Sequence, residues 1–520
     1  MIFLNKYREY IILSLIYFIA NILLLLNING IYWDDWVLFG HTYETINNIF
    51  YPHSGNAGII DTSIHTMLLD IGNGVYSYRI LTYIFYFIIP LFLFSILKNI
   101  KHLSQQDVFF ITIIFMLSPL NSAKVALIDF LYGFDLLVFF LGFYLLSKNL
   151  YNNNYILRIT ILILFFFSFL TNSLLVFYAI PLMYIFYIKY SDKDYNFLNK
   201  IKLFIIQNID FILLPVLFFI IKSIYFKPNS SYEGYNSINF IGLLKAPIGI
   251  LESVYTSFID PINQSFSLFP YFWFFIVFYI LITKETKKVK DDNQKSKNYY
   301  KILFIGFIFF ILAVFPYVIV GKLPRIFDFE SRHQLLIPLG FAFSLYFIIK
   351  IIVFKLKLSE YLKKIILYVF IIAFIGQNIY IGYRYKLDWL YQIAMEEQMK
   401  LSNIIKNNST FIVDINLYSK LVDQRNIRFY EHNGRLKKAL GEDNRLMINS
   451  YDDLEIIKES RDKIQYNFSE WVYQKPIYIE IIPKEESFSY ILKLFLYEFM
   501  DDKKFRDFSK ELVEIKIIKE

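Results

Sequence analysis

Apolar runs of about the length that crosses a bilayer recur along this chain and limit its fold more than any other feature. The hydrocarbon core of a membrane is about 30 Å thick, so a spanning helix needs about 20 mostly apolar residues. The runs predict about eleven spans, at approximately residues 11–27, 79–98, 107–121, 128–147, 157–171, 173–189, 203–224, 269–283, 302–320, 333–354 and 364–382. The chain is also 56% hydrophobic and 20% aromatic, unlike an ordinary soluble domain. The sequence therefore predicts an α-helical polytopic membrane protein.

Two places leave the number of spans open by about one or two. The run at 107–121 is short, and the runs at 157–171 and 173–189 share only Thr171, Asn172 and Ser173 as a turn. At either place a re-entrant hairpin fits the sequence as well as a full crossing does.

Lys and Arg are concentrated in alternate loops, and this bias predicts the orientation of the chain. The segments 189–202 and 284–297 are rich in Lys, whereas residues 26–78 contain neither Lys nor Arg. We therefore expect the basic loops and the N-terminus in the cytoplasm, and the loop 28–78 on the outer side. The Asn, Lys and Ile content is typical of an AT-rich bacterial genome, so the expected location is the bacterial cytoplasmic membrane.

The last part of the chain has a different pattern. Residues 410–415, 476–482 and 512–518 read as strands, and the segment 489–500 reads as an amphipathic helix. These elements suffice for a small α/β domain. The sequence thus predicts a membrane domain over residues 1–383 and an extracytoplasmic α/β domain over residues 384–520.

Cysteine is absent, which excludes disulfides, thiolate nucleophiles and Cys-based metal sites. The net charge of +8 follows from the basic loops rather than from a patch suited to nucleic acid. No nucleic-acid partner is expected.

Charged residues on the outer side are the candidates for chemistry. Asp34 and Asp35 lie between two tryptophans in "NGIYWDDWVLFGH", directly after the first span. Basic residues on the outer side are unusual, because Lys and Arg favour the cytoplasmic loops. Charged side chains at the depth of the membrane are usually paired with another charge or bind a ligand. The expected anion-binding residues are Arg79, Lys124, Arg325 and Arg332, with Asp129, Asp135 and His333 in support. The aspartate pair suits acid–base chemistry or a divalent cation, and the sequence leaves any cofactor open.

Each of these residues also has a structural interpretation. Arg79 and Lys124 fit interface anchors, and Trp33 and Trp36 fit the aromatic belt at the membrane surface. The aspartate pair fits a solvated loop or a helix cap. The Arg332-His333 pair fits a helix cap or a pairing with Glu330.

Taken together, these residues resemble the GT-C superfamily of polytopic glycosyltransferases, which includes protein mannosyltransferases and aminoarabinose transferases. The resemblance covers most of the chain: an outer acidic pair after the first helix, Arg79 opening the second helix, a later acid at Asp129 or Asp135, the segment "SRHQLLIPLG" and an outer C-terminal domain. The pair is Asp-Asp where some branches have Asp-Glu, and His333 stands where many relatives have Tyr. The sugar and the acceptor therefore stay open.

The resemblance implies transfer of a sugar from a polyprenyl-phosphate donor to a glycan, lipid or protein acceptor on the outer face, with inversion. It implies that Asp35 or Asp34 is the base and that Arg332, Arg79 and Lys124 bind the donor phosphate. We favour Asp35 as the base because it is further from the end of the first helix.

Three other classes compete with this interpretation. An O-antigen-type polymerase or ligase usually carries a large outer loop between helices rather than a C-terminal domain. A polysaccharide or lipid transporter needs ionisable residues near the centres of its helices, whereas these charges lie at helix ends. In a membrane scaffold the clustered charges would be incidental.

Overall fold

The structure, a computed structural model, describes residues 2–71, 74–152, 154–191, 195–229, 232–234, 237, 240–272, 297–458 and 463–518. Its α-helices in the first half of the chain are α1 Ile2–Leu26, α2 Tyr43–Ser54, α3 Asn56–Asp70, α4 Val75–Leu97, α5 Gln105–Leu117, α6 Phe130–Asn152, α7 Tyr155–Ser168, α8 Ser173–Phe177, α9 Ala179–Tyr190, α10 Phe197–Gln207, α11 Ile209–Tyr225, α12 Phe240–Val254 and α13 Asp260–Phe272. The later helices are α14 Lys297–Val318, α15 Ile337–Lys355, α16 Glu360–Leu401, α17 Asn403–Asn407, α18 Phe429–Leu440, α19 Tyr451–Lys458, α20 Phe488–Met500 and α21 Asp502–Ser509.

The helices agree with the predicted membrane-protein class. Within the described residues, seven helical segments are long and apolar enough to cross a bilayer, or eight if α10 and α11, which meet at 61°, form one span. The runs at 107–121 and 157–171 form helices of only 13 and 14 residues, about 20 Å at 1.5 Å per residue. Most of the run at 269–283 lies outside the described residues. The count of eleven spans is therefore not confirmed.

The region 227–268, which lies between two of the predicted spans, is largely helical from residue 240 onward. α12 continues through a π-helical segment, Tyr255–Ile259, into α13. Gly249 lets α12 approach α14, because an added Cβ would lie 3.0 Å from Val318 Cγ1. This close packing holds α12 against α14, which is one of the helices long and apolar enough to span a membrane.

The last membrane helix extends well beyond its apolar run. α16 has 42 residues, about 63 Å at 1.5 Å per residue, whereas a bilayer core needs about 30 Å. Its second half, from Tyr385 to Met399, is largely buried. The expected domain boundary between residues 383 and 384 therefore falls inside one continuous helix, which connects the membrane helices to the C-terminal domain.

The C-terminal domain is built on a mixed four-stranded sheet of order β2-β1-β3-β4. Its strands are β1 Thr410–Ile415, β2 Leu446–Ile448, β3 Ile477–Pro483 and β4 Val513–Ile517. β1 pairs parallel with β2 and β3, and β3 pairs antiparallel with β4. The three predicted strands and the helix at 489–500 are confirmed. β2 was not predicted, because it has only three residues.

Two large apolar cores explain how the two parts of the molecule are joined. One core lies among the membrane helices. The other contains Trp33 and Trp36 of the first loop, Ala126 of the loop before α6, Trp389 of α16 and Met447 of β2. The loop that carries the aspartate pair is thus packed between the membrane helices and the C-terminal domain.

Candidate active site

Asp35 lies in the short 3₁₀-helix Trp33–Val37 and is 0% exposed. Its Oδ2 accepts a hydrogen bond from the Tyr32 N–H at 3.1 Å, and its Oδ1 accepts one from the Ile128 N–H at 3.0 Å. Burial raises the pKa of Asp35 to about 7, against the opposing charge of Arg79. Both oxygens are occupied by backbone amides, so Asp35 holds the first loop against the segment before α6.

Asp34 is half-buried and has a different environment. Its Oδ1 accepts a hydrogen bond of 2.5 Å from the hydroxyl of Tyr430 in α18. Burial, and next the charge of Asp34, raise the pKa of Tyr430, so the phenol stays a donor. The C-terminal domain thus contacts the acidic pair directly, and Asp34 is the member that remains accessible.

Asp129 joins the pair from the loop that precedes α6. The side chain is 7% exposed, and its Oδ2 has no hydrogen-bond partner among the residues that the structure describes. Burial raises the pKa of Asp129 well above its usual value; the charge of Arg332 lowers it, and the charges of Asp35 and Asp34 raise it further. Asp129 is therefore a buried acid with a raised pKa, close to the pair and to Arg332. A buried carboxyl oxygen without a partner suits a bound ligand.

Arg332 provides the positive charge at this site and is held by an aromatic stack. Its guanidinium lies over the ring of Phe329 at 3.6 Å, and its Nη1 donates to Phe329 O at 3.3 Å. Phe329 stacks in turn on Trp33, with 5.3 Å between ring centroids. The Trp33 Nε1–H donates to Asp328 Oδ1 at 2.7 Å. Because Trp33 directly precedes Asp34, this stack holds the cation in a defined position relative to the acidic pair.

Arg79 is fully buried and makes hydrogen bonds only with backbone carbonyls in the contacts that the structure describes. Its Nε donates to Asn27 O at 3.0 Å, its Nη2 donates to Gly30 O at 2.5 Å, and its Nη1 donates to Val125 O. The side chain is 0% exposed. Arg79 therefore joins the first loop to the segment 122–125, and this environment is unsuited to the phosphate contact expected from the sequence.

Lys124 lies in the 3₁₀-helix Ser122–Val125, beside a cavity of about 30 Å³. Its Nζ donates to Asn21 Oδ1 at 3.1 Å and lies 5.4 Å from the centroid of the Tyr86 ring. Burial lowers the pKa of Lys124 to about 8. A cavity of this volume has room for a water molecule or two rather than for a phosphate group.

The other expected residues lie outside this group. Arg325 is exposed. Asp135 Oδ2 accepts a hydrogen bond from Thr171 Oγ1 at 2.7 Å, within the helix bundle. His333 Nδ1 lies 3.0 Å from Glu330 Oε2, and burial lowers the pKa of His333. The structure therefore brings together Asp34, Asp35, Asp129 and Arg332, and the expected pairing of His333 with Glu330 is confirmed.

The aromatic-belt interpretation of the two tryptophans is wrong. Trp33 is 2% exposed and Trp36 is 1% exposed. The guanidinium of Arg435 in α18 lies 5.2 Å from the centroid of the Trp36 ring. Both side chains are covered by protein because the C-terminal domain packs on the loop that carries them.

A metal ion shared by the aspartate pair does not fit this geometry. Asp35 already accepts two backbone hydrogen bonds and is buried. In the described part of the chain, no group of three or more His, Cys, Asp or Glu side chains is arranged to hold a metal ion.

The C-terminal domain contributes residues that were not predicted from the sequence. Arg425 forms a buried ion cluster: its Nε lies 2.8 Å from Asp388 Oδ2 of α16, and its Nη1 lies 2.8 Å from Glu431 Oε2 of α18. This cluster holds α18 against α16 and so positions Tyr430, the neighbour of Glu431. No motif marks these residues, which resemble an ordinary polar tail in the sequence.

Comparisons with known proteins provide no further assignment. No protein-family model matches the sequence, and no curated protein matches it either.

Proposed function

We propose that this protein is a membrane glycosyltransferase of the GT-C type. It moves a sugar from a polyprenyl-phosphate donor to an acceptor at the outer face of the bacterial cytoplasmic membrane. The observation that carries the proposal is the arrangement of Asp34. This half-buried carboxylate accepts a hydrogen bond from Tyr430 and lies near the buried acid Asp129 and the stacked cation Arg332.

In the proposed reaction Asp34 is the base. As the acceptor oxygen attacks the anomeric carbon, Asp34 takes the hydroxyl proton and the bond from that carbon to the phosphate oxygen breaks. Polyprenyl phosphate leaves with the electron pair, and attack from the opposite side inverts the anomeric centre. Nε and Nη2 of Arg332 are not used in its contacts with Phe329, so they suit two phosphate oxygens. This assignment moves the base from Asp35 to Asp34.

The position of the site also supports the proposal. The group lies where the membrane helices meet a folded polar domain, next to α1 and α16. A donor with a lipid tail and a polar head needs such a junction, because the tail stays in the bilayer while the acceptor comes from water. The outer location follows from the Lys/Arg bias and remains part of the proposal.

The alternative of a transporter has less support. In the described spanning helices, ionisable side chains such as Arg79, Asp135 and Lys350 lie within about two turns of a helix end. A transport pathway usually places such groups near the middle of the bilayer. A polymerase or ligase usually carries its large soluble part between helices, whereas here it follows the last membrane helix.

Comparing Asp34→Asn with Asp35→Asn tests the proposal. Asp34→Asn should lower turnover by a factor on the order of 10²–10⁴, the usual contribution of a positioned base, with little change in thermal stability. Asp35→Asn should instead lower stability by about 1–3 kcal/mol, because an amide has one acceptor oxygen for two buried N–H groups.

Turnover is measured in nanodiscs as release of polyprenyl phosphate from a panel of polyprenyl-phosphate sugars in the presence of glycan and lipid acceptors. Glu44→Gln, which changes an exposed acid of the same loop, is the matched control and should behave like wild type. Wild-type turnover in Asp34→Asn would remove the proposed base and with it the main chemical support for the function.

A further inference from the structure

One helix of the C-terminal domain has an apolar face that none of the described residues covers. On α20, Phe488, Leu492, Leu496, Phe499 and Met500 are 68%, 49%, 55%, 47% and 80% exposed. Their spacing places them on one side of the helix. The opposite side, with Ile491, Leu494 and Glu498, is buried against the domain.

The contacts of α20 place it where the spanning helices leave the bilayer. Glu498 forms a buried ion pair with Lys386 of α16. Lys386 Nζ also donates to the carbonyl of Leu26, the last residue of α1, at 3.1 Å. Phe495 packs on Tyr383, with 6.1 Å between ring centroids. The end of α1 and the end of the apolar part of α16 therefore lie at the same height, where both helices leave the bilayer. α20 lies at this height too.

The topology of the sheet gives the same placement independently. Arg384 of α16 donates to Ser419 O at 3.1 Å, shortly after the end of β1. The carboxyl end of β1 therefore faces the membrane side of the domain. β3 runs parallel to β1, so its end at Pro483 faces the same way. α20 begins five residues later.

We propose that α20 is an interfacial helix that rests in the lipid headgroup region and seats the C-terminal domain on the bilayer. The exposed face is apolar, and the exposed Lys493 beside it suits the headgroups. Such helices lie with their apolar face about 5–10 Å into the boundary between headgroups and acyl chains. This inference does not depend on the proposed glycosyltransferase activity, because it concerns only how the domain meets lipid.

The absence of cysteine makes a direct test possible in the full-length protein. Leu496→Cys and Phe499→Cys place a single thiol on the exposed face of α20. Val472→Cys is the matched control, since Val472 is also apolar and 74% exposed. Val472 O accepts a hydrogen bond from Ser409 Oγ, next to the start of β1. The start of β1 follows the end of α16 at Leu401, and Leu401 lies about 22 Å along α16 from Lys386. Val472 therefore lies well away from the level at which α20 is found.

Each variant is labelled with an environment-sensitive fluorophore and placed in nanodiscs of phosphatidylcholine and phosphatidylglycerol, with or without doxyl-labelled phosphatidylcholine. At Leu496→Cys and Phe499→Cys we expect blue-shifted emission and loss of most of the signal when doxyl lipid is present. At Val472→Cys the emission should be unchanged by doxyl lipid. If both α20 positions match the Val472→Cys control, the apolar face does not meet the bilayer and the proposal is wrong. The readout uses purified protein without substrate, so it cannot be confused with a failure of the enzymatic proposal.

Discussion

Asp34 and Asp35 are neighbours in sequence but have different environments. In a 3₁₀-helix consecutive side chains point about 120° apart, so Asp35 faces backbone amides while Asp34 faces the hydroxyl of Tyr430. At the scale of the residue, the choice of Asp34 as the proposed base therefore depends on the direction that each carboxylate takes. The two arginines also differ in their environments: the side chain of Arg332 is accessible, whereas that of Arg79 is fully buried.

Asp129 provides a prediction based on its protonation. The pKa of Asp129 is raised above its ordinary value near 3.8, so as pH rises the unfolded chain loses this proton before the folded protein does. The folded protein then binds more protons than the unfolded chain, and its stability falls with rising pH. Asp129→Asn mimics the protonated acid and should show a smaller loss of thermal stability between about pH 5 and pH 8.

Thermal unfolding of wild type, Asp129→Asn and Asp129→Ala at several pH values checks this prediction. Asp129→Asn should also keep more turnover than Asp129→Ala, because the amide retains a hydrogen-bond donor. A pH dependence that is the same in wild type and Asp129→Asn would show that Asp129 is ionised in the folded protein.

Arg332 should be the main contact for the donor phosphate. Arg332→Ala should weaken binding of polyprenyl phosphate about ten- to hundredfold, the effect of losing about 1.5–3 kcal/mol of charge-assisted hydrogen bonding. Arg332→Lys should recover only part, because an ammonium lacks the two-pronged geometry and the stacking on Phe329. Binding is measured in detergent as ligand-dependent thermal stabilisation, which needs no knowledge of the sugar.

Arg325→Ala is the matched control for Arg332, since Arg325 lies seven positions earlier in the chain and is exposed. It should bind polyprenyl phosphate like wild type. Equal binding in Arg332→Ala and Arg325→Ala would leave Arg332 with a purely structural role.

At the scale of the element, α18 determines whether Tyr430 reaches Asp34. This helix packs closely on the first loop at Gly434, where an added Cβ would lie 2.4 Å from Trp36 Cε3. Trp36 is buried, so it has little room to move away. The glycine thus permits a contact that a larger side chain would break.

Gly434→Ala should therefore displace α18 from the first loop. We expect a loss of about 1–3 kcal/mol of stability from overpacking, together with reduced turnover because the bond from Tyr430 to Asp34 is lengthened. Lys437→Ala, on the same helix with a side chain that is 38% exposed, is the control and should change neither quantity much. Thermal unfolding and turnover in nanodiscs measure both effects. Wild-type values for Gly434→Ala would mean that α18 does not pack on Trp36.

At the scale of the whole molecule, a single continuous helix and a buried ion cluster join the two parts. α16 crosses from the membrane helices into the C-terminal domain, and Arg425 bridges Asp388 of this helix to Glu431 of α18. Removing one member of a buried ion pair leaves an uncompensated charge, which is strongly destabilising. We therefore expect the two parts to behave as one unit, with the orientation of one determining that of the other.

The predicted orientation can be tested with single cysteines in this cysteine-free chain. Glu470→Cys lies on an exposed part of the C-terminal domain, and Lys355→Cys lies at the opposite end of the membrane helices. In intact spheroplasts, an impermeant maleimide should label Glu470→Cys, and it should label Lys355→Cys only after lysis. The reverse pattern would place the acidic pair in the cytoplasm and contradict the proposed location.

The sequence by itself determined the helical membrane class, the three longer strands of the sheet and the helix α20. These features depend on local periodicity and on the length of apolar runs, which the sequence shows directly. The position of the acidic pair after the first span is also visible there, as are Arg332 and Asp129 as candidate partners.

Only the tertiary structure decided which aspartate is accessible and which arginine is buried. Tyr430 is 396 residues away from Asp34 in sequence, and its contact depends on the packing of α18 on Trp36 and on the ion cluster at Arg425. Whether Arg79 faces a ligand or backbone carbonyls depends in the same way on how two loops meet. Such contacts are set by the mutual fit of distant segments, because burial and hydrogen-bond geometry depend on three-dimensional neighbours rather than on the local sequence pattern.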